Sequence, residues 1–376
     1  MTRNEIMTKM CNLSGLGLEI APLHRPVLPK SKNHNVETLD CMDRVGLINK
    51  YKNHSNVDKN IIEEVDYIWR GGSYVDAIKK TNCYDFIIAS HVIEHAVCLI
   101  NFLNDCMKLL KPGGVLSLAI PDKRYTFDYF RSPSTIGDVL SVFYSNNKMR
   151  HSLSKMIECM KNTIMTSNIL NTLKGEVIAK SPSARFSQEK CVQYINMYNN
   201  TTNYIDFHAW VFTKTSFALL FYDMQCHGFF NGMQLVEQDE MGSSEFFVRI
   251  VKCNKSFVQK PIDRFKLLNQ ITKEQMKNIQ ANIAFDRFCS MSKKYIYGTG
   301  ALAKTAILFL DEEGVKIDGF IVSDEHNKKV SFMNRPVYYL SEIDFCEKSG
   351  VLLGLNYDNK NYVLPLLKSK RVKNII

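Results

Sequence analysis

The chain has 376 residues, 45% hydrophobic and 23% charged, a balance that fits two or three globular domains of about 150 residues and excludes wholesale disorder or a fibrous repeat. No apolar run approaches the ~20 residues that span a bilayer, and the opening MTRNEIMTKMCNLSG lacks the core of a signal peptide, so a cytoplasmic location is expected. The eleven cysteines come no closer than Cys98 and Cys106, which excludes CxxC zinc sites and a disulfide framework and points to a reducing compartment.

The net charge of +10 is concentrated. Residues 141–190 carry eight Lys/Arg against three Asp/Glu, and residues 251–295 carry ten against three. Two readings are open: a solvated face, or a groove for an anionic partner such as a phosphorylated or nucleotide-linked substrate. Nucleic acid is not expected, because no arginine-rich stripe interleaves with aromatics.

In chain order, Leu16–Ala21, Val36–Asp40, Tyr84–Ser90 and Val115–Ile120 are short apolar runs that end at polar, Pro or turn residues, as buried parallel strands do. Val97–Leu110 has helical spacing and stops at Lys111-Pro112-Gly113-Gly114. Residues 132–207, rich in Asn, Ser, Lys and Met, read as a helical cap without a convincing strand. Thr213–Cys226 reads as a helix capped by Thr213 or Thr215, followed by a hairpin of Phe230–Val236 and Glu245–Val251 turning around Gly242. Pro261–Cys289 is a charged amphipathic stretch, a linker. From Lys293 a second alternation begins: YIYGTG, ALAKTAILFLDEEG, VKIDGFIVSD, VLLGL, a helix around Tyr362–Lys368, and VKNII.

The segment Tyr84–Asp128 (YDFIIASHVIEHAVCLINFLNDCMKLLKPGGVLSLAIPDKRYTFD) resembles the centre of class I S-adenosylmethionine-dependent methyltransferases: strand four, its helix, the K-P-G-G turn and strand five. S-H-V-I-E-H and P-D-K-R-Y-T-F-D are similar to a bacterial group associated with surface glycans. The resemblance covers roughly residues 14–131 and resumes at Asp206–Thr213 (DFHAWVFT) and the hairpin to Val251. It implies S-adenosyl-L-methionine as cofactor and a set of anchoring positions. Glu19, ending strand one, would help position the methionine end. Asp40, 21 residues later and ending strand two, would accept both ribose hydroxyls. Asp66 in VDYIW would meet the adenine amine, and Ser90 and His91 would border the methionine portion. One departure is clear. Where the family has E-x-G-x-G-x-G, this chain has Glu19-Ile20-Ala21-Pro22-Leu23-His24-Arg25; Ala21 fits the first glycine position if its φ is negative.

A sugar hydroxyl acceptor needs a base, and His91, His95 and His208 are the candidates, with His208 expected to face the cleft and His91 next to be tested. Glu94-His95 reads as a packing and capping feature; with no third ligand in view, no metal is expected. Lys123 and Arg124 suit a phosphate or carboxylate on the acceptor.

Gly298-Thr299-Gly300-Ala301-Leu302-Ala303 is a strand–GxGxxA–helix turn, and the next strand ends in Asp324. It resembles the small nucleotide-binding domain of nucleotide-sugar acyltransferases, which implies a diphosphate on the helix N-terminus with Gly298 and Gly300 as cofactor-binding residues. A ligand-free appendage is the alternative. The expected fold class is α/β: a Rossmann-like methyltransferase sheet, mostly parallel with an antiparallel last strand and a helical insertion, plus a second smaller Rossmann-like domain. The expected boundaries are 1–255 (132–207 as cap), 256–290 as helical linker and 291–376. The expected function is O-methylation of a sugar or glycan precursor in surface polysaccharide biosynthesis; a nucleotide-sugar-modifying oxidoreductase and a non-catalytic glycan-assembly scaffold are the alternatives. The oligomeric state stays open.

Overall fold

A computed structural model describes residues 2–145, 150–172, 175–240, 244–253, 264–326 and 329–376. The chain forms two compact units: Met1–Lys123 with Asp128–Thr163 and Phe186–Leu268, and Arg124–Phe127 with Ile164–Arg185 and Asn269–Ile376.

In the first unit, α1 (Arg3–Thr8) precedes β1 (Gly17–Ile20), β2 (Val36–Asp40), α2 (Arg44–Lys50), β3 (Tyr67–Ile68), α3 (Tyr74–Ile78), β4 (Tyr84–Ser90), α4 (Leu99–Leu109) and β5 (Leu110–Pro121). Continuous apolar runs make β1 and β4 fully covered strands, with Leu18, Ile87 and Ile88 completely buried. Gly17 is required by packing, since a Cβ there would lie 2.1 Å from the Phe86 ring. Helical spacing puts Leu99, Ile100, Leu103, Cys106 and Leu109 of α4 on the buried face. The K-P-G-G sequence is not a turn outside the strand, as its composition suggests. It is a bulge inside β5: Tyr84 pairs with Leu110 and Phe86 with Val115, and Gly113 supplies the positive φ of +80°.

Next come α5 (Ile136–Phe143) and α6 (Leu153–Asn162), then a hairpin of β6 (Ile169–Thr172) and β7 (Gly175–Ile178), then α7 (Gln188–Asn200). The hairpin corrects the expectation of a strandless cap, and it belongs to the second unit, where Leu170 and Val177 share a core with Phe285 and Ile307. Back in the first unit, α8 (Lys214–Cys226) is capped by the Thr213 side chain, which accepts from Ser216 N. β8 (Met233–Glu240) and β9 (Glu245–Lys252) pair antiparallel; the turn placed around Gly242 lies outside the described residues. The sheet order is β3-β2-β1-β4-β5-β9-β8, parallel from β3 to β5 and antiparallel thereafter. Chain order reverses between β1 and β4, the point at which open α/β sheets leave a crevice at their carboxyl ends. Arg249 on β9 is fully buried, donating to Ile6 O at 2.9 Å and pairing with Glu237 and Asp239; Ser117 Oγ donates to Met7 O at 2.6 Å. These bonds fasten α1 to the sheet.

α9 (Arg264–Ser290), which from Asn269 onward belongs to the second unit, contributes Ala281, Phe285 and Phe288 to that unit's core, so this stretch does more than link. It is followed by β10 (Lys293–Tyr297), α10 (Ala301–Glu312), β11 (Gly319–Val322), β12 (Ser331–Phe332), β13 (Arg335–Tyr339), β14 (Ser349–Leu353), α11 (Tyr357–Ser369) and β15 (Asn374–Ile375). The order is β12-β13-β11-β10-β14-β15, with β12 alone antiparallel to its neighbour. The architecture is thus α/β twice over. No described helix is long and apolar enough to cross a membrane.

Candidate functional site

A cavity of about 1020 Å³ opens at the carboxyl ends of β1, β2 and β4 in the first unit. One wall is the loop after β1. Ala21 has φ +52° and Leu23 φ +47°, so the negative φ expected at Ala21 is not what forms. The backbone takes a left-handed path without glycine, at about 1–2 kcal/mol per residue. Glu19 holds it there: its carboxylate accepts from Val27 N at 2.7 Å and Leu28 N at 3.1 Å. Burial pushes the Glu19 pKa up to about 7, against the pull of those two amides. Both oxygens are taken by backbone, so Glu19 pins the loop where contact with a methionine end was expected.

Asp40 lines the cavity, with Oδ1 accepting from Cys41 N at 2.6 Å; burial raises its pKa. Asp66 is a correction. Its carboxylate accepts from Thr38 N at 2.7 Å and pairs with Lys30, and it does not line the cavity. The wall beyond β3 is aromatic instead: Trp69 and Tyr74 meet edge to face at 5.4 Å, and Trp69 Nε1 donates to Gly72 O. Ser90 and His91 line the cavity. Ser90 Oγ accepts from Arg3 Nη2 at 2.6 Å, and His91 Nε2 lies 2.9 Å from Glu245 Oε2. Burial would raise the Glu245 pKa, but His91 and Arg3 outweigh it and hold it at about 2.

His95 and Asp206 also line the cavity, joined through Nδ1 at 2.7 Å, and Tyr204 Oη donates to Asp206 at 3.1 Å. Burial disfavours a charged His95, yet Asp206 and Glu94 outweigh it and its pKa lies above the ordinary value. His208 does not line the cavity. It stands behind His95, rings edge to face at 4.7 Å, with Nδ1 on Asp128 at 2.7 Å. Asp128 in turn accepts from Arg131 Nη1 at 2.8 Å, within an almost wholly buried pair. The local cause is a docked segment: Ala209 N and Trp210 N both donate to Glu94 O, and Trp210 Nε1 donates to Ala96 O at 2.6 Å. This clamps DFHAWVFT onto the short 3-10 turn Ile93–His95 and brings His208 against Glu94.

Lys123 and Arg124 are buried and line no part of the cavity; Lys123 Nζ donates to Tyr129 O and Arg124 lies over the Tyr125 ring. Among the described residues, the Lys and Arg side chains lining it are Arg3, Arg25 and Lys50, which lie outside the two basic stretches. Of the sequence candidates, Glu19, Ala21, Asp40, Ser90, His91 and His95 share one cavity; sequence reasoning missed Trp69, Lys50, Asp206, Arg3 and Glu245. Asp206 sits inside the quoted DFHAWVFT, two residues before His208, and that spacing was its only signal.

In the second unit, Gly298 has φ +104°, and a Cβ there would lie 2.7 Å from Leu355. Gly300 is the N-cap of α10 with no side-chain cap and open space around its Cβ position. Asp324 accepts from Ser341 N and Oγ.

No protein-family profile matches the chain. A curated relative, human mitochondrial ubiquinone biosynthesis O-methyltransferase (Homo sapiens), is 24% identical over 131 residues, 29% of this chain and 32% of that protein. The chain therefore matches about a third of the relative's length. Among solved structures, an S-adenosylmethionine dependent methyltransferase from Mesorhizobium loti overlays at 8% identity and TM-score 0.34, covering 66% of this chain and 98% of that one. The methyltransferase CalH in complex with SAH overlays at 20% identity and TM-score 0.22, covering 31% and 34%. The CurJ carbon methyltransferase gives 12% and 0.31, covering 64% and 49%. None of these three overlays reaches a TM-score of 0.5, and the fold assignment rests on strand order instead.

Proposed function

We propose that this chain is an S-adenosylmethionine-dependent methyltransferase that O-methylates a sugar or glycan precursor destined for a surface polysaccharide. The observation that carries the reading is the Asp40 carboxylate, ending β2 and lining a large cavity at the switch point of a parallel sheet. The local similarity to an O-methyltransferase supports it. The residues present fit the donor: Asp40 would take its ribose hydroxyls, and Trp69 with Tyr74 offers an aromatic wall for a base. When bound, that donor supplies an electrophilic methyl group.

The chain's own residues do the rest. His91, on the cavity surface with its ring oriented by Glu245, would take the acceptor's proton; Arg25 and Lys50 would hold a phosphate if the acceptor carries one. Incubation with methyl-labelled S-adenosylmethionine and a panel of sugars, nucleotide sugars and lipid-linked sugars tests the reading. Label should enter one acceptor class as an alkali-stable ether. Failure to bind S-adenosylhomocysteine at all would defeat it.

A further inference from the structure

Glu94 poses a problem that methyl transfer leaves unsolved. Its side chain is 1% exposed, and among the described residues neither carboxylate oxygen has a hydrogen-bond partner. A bare buried carboxylate is strongly unfavourable unless a counter-charge meets it. Its surroundings are three imidazoles: His91 Nδ1 at 3.6 Å and His95 Nε2 and His208 Nε2 at 3.9 Å from Oε1, all beyond hydrogen-bond range. Ligand atoms of Glu94, His95 and His208 lie within 4.8 Å of one another.

Two of those imidazoles are turned the same way. His95 places Nδ1 on Asp206 and His208 places Nδ1 on Asp128, each at 2.7 Å. A carboxylate at Nδ1 favours the tautomer with its proton there and turns Nε2 of each ring toward Glu94, 3.9 Å from Oε1. That is the outer layer that metal-binding histidines carry. The two carboxylates come from separate segments, so this arrangement is not one local turn repeated.

We propose that Glu94, His95 and His208 hold a divalent transition-metal ion, best matched by Zn²⁺, with an open coordination position toward the cavity that His95 lines. Two imidazoles and one carboxylate are the donor set of zinc sites that keep a fourth position for water or substrate. Bonds of about 2.0–2.2 Å in a tetrahedral site set ligand atoms roughly 3.4 Å apart, so the 3.9 Å separations close by about half an ångström. The ion supplies a full counter-charge and a direct bond to a carboxylate that the three imidazoles meet only at 3.6–3.9 Å. It also makes His208 a ligand rather than a base, which leaves proton removal to His91. An acceptor hydroxyl reaching the open position would lose its proton more readily; that consequence rests on the methyltransferase reading, whereas metal binding does not.

The test uses full-length protein, stripped with a chelator, dialysed, and titrated with Zn²⁺ by calorimetry and with Co²⁺ by visible absorption. One ion per chain is expected, with the intense Co²⁺ bands of a four- or five-coordinate site. Glu94→Gln and His208→Ala should each weaken Zn²⁺ at least 100-fold. Asp206→Asn, at a side chain 51% exposed, should weaken it about tenfold through His95. If Glu94→Gln does not fold by circular dichroism, the other two variants decide. No 1:1 binding of Zn²⁺ or Co²⁺ by the folded wild type, or full binding by the folded variants, overturns the site. Titrating S-adenosylhomocysteine into the same preparation separates the two proposals. Zn²⁺ bound without it leaves the metal site standing and the methyltransferase reading refuted; the opposite pattern does the reverse.

Discussion

Arg3 donates to both carboxylate oxygens of Glu245, at 2.7 and 2.9 Å, across 242 residues of sequence. The same carboxylate orients His91, so a residue on α1 and one on β9 together set the position of the candidate base. A bidentate arginine keeps this mostly buried carboxylate charged.

The pair makes stability depend on acid. The Glu245 pKa is depressed to about 2 from an ordinary 4.5, so its stabilisation is complete above about pH 4.5 and is lost as pH falls through 2. A shift of this size corresponds to roughly 3 kcal/mol before solvent screening at the partly exposed Arg3 reduces it. Urea denaturation from pH 2 to 7 should show wild type and Glu245→Gln converging at the acid end, separating as the pH rises from 2 to 4.5, and holding a full gap above that. A gap that stays constant with pH would contradict the assignment.

Donor binding at β2 is the next check. Asp40→Ala should weaken S-adenosylhomocysteine at least tenfold, because charge-assisted bonds are each worth about 1.5–3 kcal/mol. Wild-type affinity by calorimetry would mean that the ribose lies elsewhere in the cavity.

The glycine-less loop gives an inverted expectation, a substitution that helps. Ala21 sits at φ +52°, where an L side chain is strained. Ala21→Gly should therefore stabilise the protein by about 0.5–1 kcal/mol, the strain relieved less the chain entropy gained by the unfolded state. Ala21→Val should be less stable than wild type. A denaturation midpoint that falls in the glycine variant would show that the left-handed path is not a strained one.

In the second unit, two glycines should behave oppositely. A Cβ at Gly354 would lie 2.7 Å from Ala303 Cα, so Gly354→Ala should lower the melting temperature sharply. Gly300 has open space at that position, so Gly300→Val should leave the melting temperature almost unchanged. If this turn cradles a diphosphate, Gly300→Val should also abolish binding of UDP-sugars or nicotinamide nucleotides. Wild-type protein that binds neither class would leave the turn as a structural connection.

The sequence exposes what is local. Val36–Asp40 and Tyr84–Ser90 are strands residue for residue, because an apolar run and its terminator lie within a few positions of each other. The hairpin at β6 and β7 escaped because four-residue strands carry too few positions for a period to show. Asp66 misled because β3 is only two residues long, so the aspartate before it turns back to Thr38. The pairings that build the site have no local signature: His95 with Asp206 spans 111 residues and His208 with Asp128 spans 80. Each histidine was visible in the sequence, but its partner, and hence its orientation, was not.

The fastening of α1 also sets an order of events during synthesis. Its apolar residues Ile6 and Met7 can meet Phe86 and Ile88 once β4 exists, but Phe247, Arg249 and Glu245 are made some 240 residues after the helix. A ribosome adding about 5–20 residues per second needs roughly 12–50 s to supply them. Through that interval the N-terminal helix can be only half attached, and His91, the candidate base, lacks the Glu245 carboxylate that orients it. The nascent first domain therefore passes through a stage in which its sheet is largely paired while its cavity mouth is still unformed.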